Sequence, residues 1–398
     1  MTPVEARKNI TLLILYSSFL KRFAFPVITL YYLMNQLSFT QIGILAMVTS
    51  VSSMVLEIPA GLFADRFGKR ASLLVASFFA VIYSLLLALG SGFWLFFVAV
   101  LFFGSYFAFS SGTREAMLFD FVAAYSSKAD YKKYLGKMRL YNGLFSAITL
   151  ITASILFKIE AKLPFWIMAG FMFASFALAF LMKEPPLAKD ETDTIPLFTF
   201  HGSFKTAFFQ MFQDRYVFAG LILMVVVTAF FRILADYGQP LIQLSGVDVL
   251  YFGVIYAVIR VVQGVASEVT HRLDKVMKPL NLLFLALLLM IAGFFVMGQG
   301  RGFALVGALL LMNGGYWMLK TTIDDEINQA ISSAYRATIL SIVSFMENIL
   351  AVVVVMSFSL SADWQGLQPS FIYATLALVV VGGLSLFNVY LTVSGTHD

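Results

Sequence analysis

The stretch from Pro279 to Gly300 reads PLNLLFLALLLMIAGFFVMGQG and contains no charged residue. Three other uncharged runs have a similar length, namely Ala71–Trp94, Leu163–Met182 and Pro369–Gly395. Each run reaches the about 20 residues that a helix needs to cross the hydrocarbon core of a membrane. None of them alternates between apolar and polar residues as a membrane-spanning strand would. The runs therefore predict membrane-spanning helices, because a helix satisfies its own backbone hydrogen bonds in lipid.

The composition of the whole chain agrees with this interpretation. Of the 398 residues, 60% are hydrophobic and 12% are charged, whereas a soluble globular protein carries about 25% charged residues. The absence of cysteine excludes disulfides and thiolate metal sites. The histidines His201, His271 and His397 are far apart in the sequence and suggest no metal cluster, so no cofactor is expected. The net charge of +5 does not indicate nucleic-acid binding, because the basic residues lie in short loops between apolar runs.

The predicted fold is all-α, with 12 transmembrane helices forming two pseudo-symmetric six-helix bundles. The longest polar interruption, residues 183–215, separates six helices from six and is interpreted as a cytoplasmic linker. The two bundles are accordingly assigned to residues 1–182 and 216–398. The predicted helices cover residues 8–34, 40–63, 71–90, 93–121, 138–158, 163–182, 216–243, 249–271, 279–298, 301–323, 338–360 and 369–393.

The distribution of basic residues predicts the orientation of the chain in the cell membrane. Only Lys158, Lys162 and Arg301 fall in loops on the side opposite to the N-terminus. The other Lys and Arg residues of the loops fall on the N-terminal side, which is therefore predicted to be cytoplasmic. Because the number of helices is even, both termini are expected in the cytoplasm.

The two halves resemble each other at an offset of 210 residues. Six helices return the chain to the same side of the membrane, so the halves are predicted to be parallel copies related by an axis along the membrane normal. The matching pairs are Arg22 and Arg232, Gly43 and Gly253, and Gly104 and Gly314.

Several charged side chains fall inside predicted helices, where a charge at the centre of the bilayer costs about 2.5–3.5 kcal/mol. Such side chains must face protein or water, so we predict a polar, net-positive interior. Arg binds carboxylates and phosphates well, which favours a site for a negatively charged solute. Structural pairing that locks helices together is the alternative. Asp236 and Glu347 are the candidates for carrying a proton, because burial favours the neutral form of a carboxyl. The candidate substrate-binding residues are Lys21, Arg22, Arg232, Asp236, Arg260, Gln263 and Glu347.

The loop after the second predicted helix, Gly61–Arg70, reads GLFADRFGKR. It resembles the loop motif G-x-L-x-D-R-x-G-R-K of the major facilitator superfamily, with Lys69 and Arg70 in place of Arg and Lys. Gly61 is expected to allow close helix packing and Gly68 a tight turn. A basic turn that only sets the topology is the alternative. The candidate gating residues are Gly61, Asp65, Arg66, Gly68, Lys69, Arg70 and Asp120.

The resemblance implies specific roles within this loop. Asp65 would bind the start of the eleventh helix near Ser333 and close the cytoplasmic side. Arg66 and Arg70 would hold neighbouring helix ends, with Asp120 as a candidate partner. The counterpart after the eighth helix, Thr270–Lys275, keeps an Asp followed by a base but lacks the glycines.

The resemblance implies a secondary transporter and not an enzyme. No nucleotide-binding G-x-x-x-x-G-K-[ST] motif is present, so an ion or substrate gradient is expected to supply the energy. The predicted function is proton-coupled transport of a small organic, anionic solute by alternating access, with export favoured. The alternatives are an uptake symporter, a multidrug efflux antiporter and a membrane sensor. The expected partners are the substrate, H⁺ and the lipid bilayer, and the chain is expected to be a monomer.

Overall fold

The computed structural model of the chain contains only helices as regular elements in the residues that it describes. Eleven helices are long and apolar enough to cross a membrane, and the shorter apolar segment Phe25–Met34 supplies a twelfth. The prediction of an all-α polytopic membrane protein is therefore confirmed. The described residues are 2–20, 23–125, 130–185, 215–330 and 333–394.

Lys21 and Arg22 lie outside the described residues, and so does most of the predicted linker, from residue 186 to 214. The roles predicted for these two cations stay predictions.

The first compact unit comprises residues 1–37, 44–193 and 249–254. It therefore holds the N-terminal helices, apart from the first turn of α3. These helices are α1 (Pro3–Phe19), α2 (Ile28–Met34), α3 (Phe39–Phe67), α4 (Lys69–Leu89), α5 (Phe93–Ser110), α6 (Thr113–Tyr125), α7 (Tyr131–Ile159) and α8 (Leu163–Leu181).

The second compact unit comprises residues 38–43, 194–248 and 255–398. A turn of 3-10 helix, Val249–Tyr251, precedes α10, and a π-helical turn, Leu378–Gly382, joins the last two helices. The helices are α9 (Arg215–Leu244), α10 (Phe252–Leu273), α11 (Pro279–Gln299), α12 (Phe303–Ala330), α13 (Ser333–Gln365), α14 (Leu367–Ala377) and α15 (Gly383–Ser394).

Three predicted helices are divided in the structure, and the last of them, residues 369–393, continues from α14 to α15 through the π-helical turn. The first, residues 8–34, consists of α1, a 3-10 turn at Phe25–Val27 and α2. Pro26 lies in that 3-10 turn, where its missing N–H leaves no hydrogen bond unmade. The fourth, residues 93–121, is divided between α5 and α6 at Gly112, whose φ of 73° is left-handed. Prediction from apolar runs overlooked the first two breaks, because the apolar sequence resumes within a few residues beyond each of them.

The packing of one glycine pair supports the internal repeat. A Cβ on Gly104 of α5 would lie 1.9 Å from Oγ of Ser52 in α3. A Cβ on Gly314 of α12 would lie 3.8 Å from Cγ1 of Val262 in α10. Ser52 and Val262 are themselves 210 positions apart, like the two glycines. In each unit, the glycine thus faces the same equivalent position of a neighbouring helix.

Candidate functional site

A polar cluster lies between α9, α12 and α13 of the second unit. Thr228 Oγ1 donates a hydrogen bond of 3.1 Å to Oε1 of Glu347. The same hydroxyl lies 3.4 Å from the hydroxyl of Tyr316, a residue that is 6% exposed. Three helices thus contribute one polar side chain each to a common point inside the unit. We call the cluster formed by these residues together with Phe231, Arg232, Trp317 and Asn348 the α9–α12–α13 cluster.

Arg232, in the middle of α9, reaches across to α13. Its Nη2 donates to Oδ1 of Asn348 at 3.0 Å, and the Asn348 amide donates to the Ser344 carbonyl in turn. Within the described residues, no carboxylate forms an ion pair with Arg232. A spacing of four residues would allow Arg232 to pair with Asp236, but the partner of its guanidinium among the described residues is Asn348. A neutral amide satisfies one donor of the guanidinium, and the nearest acid of the cluster, Glu347, acts on Arg232 through space without a direct ion pair.

Aromatic rings form one wall of the α9–α12–α13 cluster. Phe231 and Tyr316 are stacked, with ring centroids 3.7 Å apart and planes 6° from parallel. Trp317 meets Tyr316 edge-on at 5.9 Å. The indole Nε1 of Trp317 is buried and meets no acceptor among the described residues. Buried donors almost always have an acceptor, so this N–H is available to a bound molecule.

A second chain of hydrogen bonds runs from α10 to α12. Arg260 Nη1 donates to Oε1 of Gln263 at 3.2 Å, and Gln263 Nε2 donates to Oδ1 of Asn313 at 2.9 Å. Asn313 is 4% exposed, and nearby Thr321 Oγ1 donates to Oγ of Ser267. Two polar residues of α10, Gln263 and Ser267, therefore contact α12. Arg260 itself is exposed.

One further cation of α12 is paired within its own helix. Lys320 lies 3.2 Å from Oδ2 of Asp324, one turn further along. Neither residue is among the candidate substrate-binding residues, so this pair leaves the predicted positive charge of the interior unchanged.

The turn between α3 and α4 is held by a residue that the sequence analysis did not single out. Gly68 has a φ of 95°, and Glu184 accepts hydrogen bonds from the backbone N–H groups of Lys69 (2.6 Å) and Arg70 (2.8 Å). A carboxylate at the start of a helix satisfies free N–H groups and faces the positive end of the helix dipole. The only feature of the sequence that could have pointed to Glu184 as a helix cap is its position, as an acid, shortly after a long uncharged run.

Two basic residues of this turn reach other helices of the first unit. Arg70 donates to the carbonyl oxygens of Ala179 (3.2 Å) and Phe180 (2.8 Å) at the end of α8. Lys69 forms an ion pair with Asp120 of α6. The predicted candidate partners of Asp120 were Arg66 and Arg70. The structure instead pairs Asp120 with Lys69, the first residue of α4. The Arg66 guanidinium instead lies 5.4 Å from the centroid of the Phe67 ring.

The remaining residues of the motif have open surroundings. Asp65 is exposed, and the side chain of its predicted partner near Ser333 lies outside the described residues, so this pairing stays a prediction. No described atom lies within 4 Å of the position that a Cβ on Gly61 would take. The close helix approach predicted at Gly61 is therefore absent from the described structure, because this face of α3 is exposed there.

The corresponding turn after α10 differs from the first. Arg272 pairs with Glu268 one turn back on the same helix, 2.9 Å away. His271, Asp274 and Asp325 place their ligand atoms within 4.8 Å of one another, which the scattered positions of the histidines did not suggest. Burial and the neighbouring Asp325 raise the pKa of Asp274. Three groups, two of them exposed, fall short of the four ligands of a structural zinc site.

Eleven apolar spans, one shorter apolar helix and two compact units among the described residues are typical of a membrane transporter built from two helix bundles. Residues 10–356 match the family described as Major Facilitator Superfamily. The match extends over most of the chain, which belongs to this family.

Solved structures show the same fold at low sequence identity. A mutant of the nucleoside transporter NupG is 12% identical, with a TM-score of 0.80 over 97% of this chain and 99% of that one. A bacterial homologue of the human lysosomal transporter Spinster is 15% identical, with a TM-score of 0.77 over 98% of each chain. The D-xylose–proton symporter is 13% identical, with a TM-score of 0.71 over 98% and 96%.

One curated relative is similar over a short segment. The uncharacterized MFS-type transporter YxaM of Bacillus subtilis (strain 168) is 33% identical over 57 residues. The aligned segment spans 14% of this chain and 14% of YxaM. This similarity agrees with the family but does not indicate a substrate.

Proposed function

We propose that the chain is a secondary active transporter that exports a small organic anion by alternating access, coupled to protons. The observation that carries the proposal is Arg232, a cation in the middle of α9 that is bound by the neutral Asn348 and not by a carboxylate. The stacked Phe231 and Tyr316 supply an apolar wall beside it. A carboxylate or phosphate on a small organic molecule matches this combination of charge and ring surface.

The Trp317 indole supports the same class of ligand. Its buried N–H has no acceptor within the described part of the chain, and an anionic oxygen accepts such a hydrogen bond strongly. Trp317 and Arg232 thus offer donors, while no carboxylate pairs with either of them among the described residues. The α9–α12–α13 cluster is therefore complementary to an anion. The positive charge of Arg232 would repel a cation.

Glu347 is the proposed proton carrier of this mechanism. It accepts a hydrogen bond from Thr228 and lies beside Asn348, the residue that holds Arg232. Protonation of Glu347 would raise the positive charge of the cluster and strengthen anion binding, so that proton and anion would be carried together. Binding of substrate and of proton would thereby be coupled through one pair of neighbouring residues on α13. This coupling supports the alternative of uptake symport, whereas the resemblance of the Asp65 loop to efflux members supports export.

The experiment begins with a thermal-shift screen of the purified chain. The panel consists of small carboxylic acids and organic phosphates, each accompanied by its uncharged amide or alcohol, because a ligand of the folded state raises the melting temperature. The acids are expected to shift the melting temperature and the amides are not. Arg232→Gln should weaken the binding of the best acid about 10- to 100-fold, because it removes a charge-assisted hydrogen bond. Lys278→Gln, an exposed cation at the start of α11, is the matched control.

Transport is then measured in proteoliposomes with the radiolabelled acid. Glu347→Gln should abolish accumulation driven by a pH gradient but keep exchange of labelled for unlabelled substrate. Equal binding of acids and amides would contradict the proposed anion site, and an absence of exchange in every variant would favour a membrane sensor. Accumulation with the opposite pH gradient would replace export by uptake symport. A response to unrelated apolar compounds would indicate a multidrug antiporter.

The proposed location is the cell membrane, with both termini in the cytoplasm. The excess of Lys and Arg in the loops on the N-terminal side supports this orientation. The resemblance to efflux members in the Asp65 loop is the reason for favouring export. Reporter fusions at either terminus test the orientation, and a monomer is expected because the two units already form both halves of the repeat.

A further inference from the structure

A cleft of about 780 Å³ lies between α1 and α7 of the first unit. Its lining residues belong to the first unit, whereas the α9–α12–α13 cluster belongs to the second unit. The two ends of the cleft differ in chemistry. Arg7, Lys133 and Lys137 line the end at which both helices begin, whereas the deeper walls include Ile14 and Ile148.

The cleft is elongated along the helix axes. From Arg7 to Phe19 on α1 the lining extends about 18 Å, at 1.5 Å per residue. The rings of Phe19 and Phe145 approach to 5.4 Å and close the deep end. Leu144 and Ile148 of α7 are 55% and 61% exposed, so their apolar surface is available inside the cleft. A ligand that fills this space has a charged end and an apolar body of more than 10 Å.

The basic end attracts negative charge. In the part of the chain that the structure describes, the residues lining the cleft include three cations and no acid. Glu5, the acid in the same turn of α1 as Arg7, is engaged by Lys183 at 2.8 Å and so does not neutralise the cleft. The Lys137 ammonium lies 5.7 Å from the centre of the Tyr134 ring, which holds it near the rim. Basic clefts at the ends of transmembrane helices bind the headgroups of anionic lipids.

We propose that this cleft binds an anionic phospholipid from the membrane leaflet at the N-terminal side. The lipid phosphate lies among Arg7, Lys133 and Lys137, and one acyl chain follows Ile14, Leu144 and Ile148. A soluble anion would leave the apolar walls in contact with water, and a neutral lipid would bring no net negative charge to Lys133 and Lys137. The inference is independent of the proposed transport function, because it involves other helices and other residues.

The experiment compares phosphatidylglycerol with phosphatidylcholine of the same acyl chains. Each lipid is titrated into the delipidated full-length protein, and native mass spectrometry counts the bound molecules. Phosphatidylglycerol is expected to bind at least about tenfold more tightly than phosphatidylcholine, because each nearby basic residue raises the affinity for an anionic lipid about fivefold. The double variant Lys133→Gln/Lys137→Gln should lose about 25-fold in affinity for phosphatidylglycerol and little for phosphatidylcholine.

A matched control removes the same charge from outside the cleft. Lys132 and Arg139 are exposed residues of α7 that do not line it, and Lys132→Gln/Arg139→Gln should leave the affinity within about twofold of the original. An equal loss in this control would overturn the proposal, because it would reduce binding to general surface charge.

Two further measurements test the apolar half of the cleft and the class of ligand. Leu144→Gln/Ile148→Gln keeps the charge and should weaken phosphatidylglycerol about tenfold, since it makes the path of the acyl chain polar. Inorganic phosphate at millimolar concentration should not displace the lipid. Displacement by phosphate, or equal binding of the two lipids, would show that the cleft is not a site for an anionic phospholipid.

Discussion

The turn between α3 and α4 and the turn between α10 and α11 occupy equivalent places in the two units, yet they are held differently. The first turn is tied to two other helices of its unit, through Lys69 to α6 and Arg70 to α8. The second turn contains the ion pair Glu268–Arg272 within one helix. The side chains of Lys69 and Asp120 are 32% and 21% exposed, against 75% and 59% for Arg272 and Glu268.

This difference shows that charge alone does not define a structural turn. Both turns contain basic residues and an aspartate, but only the first brings its bases against helix ends with few competing water molecules. Contacts between helices that are partly shielded contribute more than an exposed pair within one helix. The contribution of each turn to stability should therefore follow its contacts and not its number of charges.

Arg70→Ala should have the largest effect on this comparison. It removes two hydrogen bonds from a charged donor to the last carbonyl groups of α8, and should lower the free energy of unfolding by about 3 kcal/mol. Unfolding by SDS in mixed micelles, followed by tryptophan fluorescence, measures the change. Arg70→Lys keeps the charge and should recover less than half of the loss, because one ammonium replaces a two-donor fork. Full recovery by Lys would show that only charge matters at this position.

Gly68→Ala should lower the free energy of unfolding by about 2 kcal/mol, because a φ of 95° is strained for any residue with a Cβ. The new Cβ would also lie 2.8 Å from Cδ of Glu184 and displace the carboxylate that caps α4. Gly61→Ala is the control in the same motif. Its Cβ would enter open space within a helix, so it should be neutral or gain up to about 1 kcal/mol.

Asp120→Asn should cost about 1.5 kcal/mol, because it leaves the ammonium of Lys69 without its carboxylate. The same unfolding titration measures the loss. A double-mutant cycle with Lys69→Met isolates the pair, and the two single changes should not add. Additive losses would mean that Lys69 and Asp120 act independently.

Asp274→Asn should act in the opposite direction and by a smaller amount. Burial and Asp325 raise the pKa of Asp274, so the folded chain retains this proton to a higher pH than the unfolded chain does. The resulting loss of stability appears as the pH rises through the folded-state pKa and is absent when both states are protonated. The variant should therefore melt at a higher temperature near pH 7.5 and at an unchanged temperature near pH 3. A gain that is equal at both pH values would exclude titration of Asp274 as its cause.

Arg272→Gln should have the smallest effect, about 0.3 kcal/mol, because an exposed pair four residues apart on one helix contributes little. The expected loss is close to the precision of the unfolding titration. A loss comparable to that of Arg70→Ala would remove the contrast between the two turns.

The sequence predicted the spans well and the contacts poorly. Runs such as Pro279–Gln299 identified their helix nearly to the residue, because the hydrocarbon core sets the length of any apolar helix. The break at Gly112 was overlooked, since a single positive φ leaves hydropathy unchanged. The contact of Arg232 with Asn348 could not be read from the sequence, because a long side chain in the middle of a helix reaches the adjacent helix as easily as its own next turn.

The candidate site shows the same limit. Spacing placed Arg260 and Gln263 on one face of α10, and the structure joins them in one chain of hydrogen bonds. Neither Asn313 nor Tyr316 was recognised as part of the interior, because an uncharged side chain in an apolar helix carries no signal of its own. Their importance depends on what faces them.

The sequence by itself determined that this chain crosses the membrane repeatedly as helices, and that it belongs with transporters built from two related halves. Hydropathy and repeat spacing suffice for that, because lipid imposes one length and one backbone structure on every span. Only the tertiary structure decided that Glu184 caps α4, that Lys69 takes Asp120 and that Arg232 is held by an amide. Such pairings depend on the rotation and depth of neighbouring helices, and packing sets both.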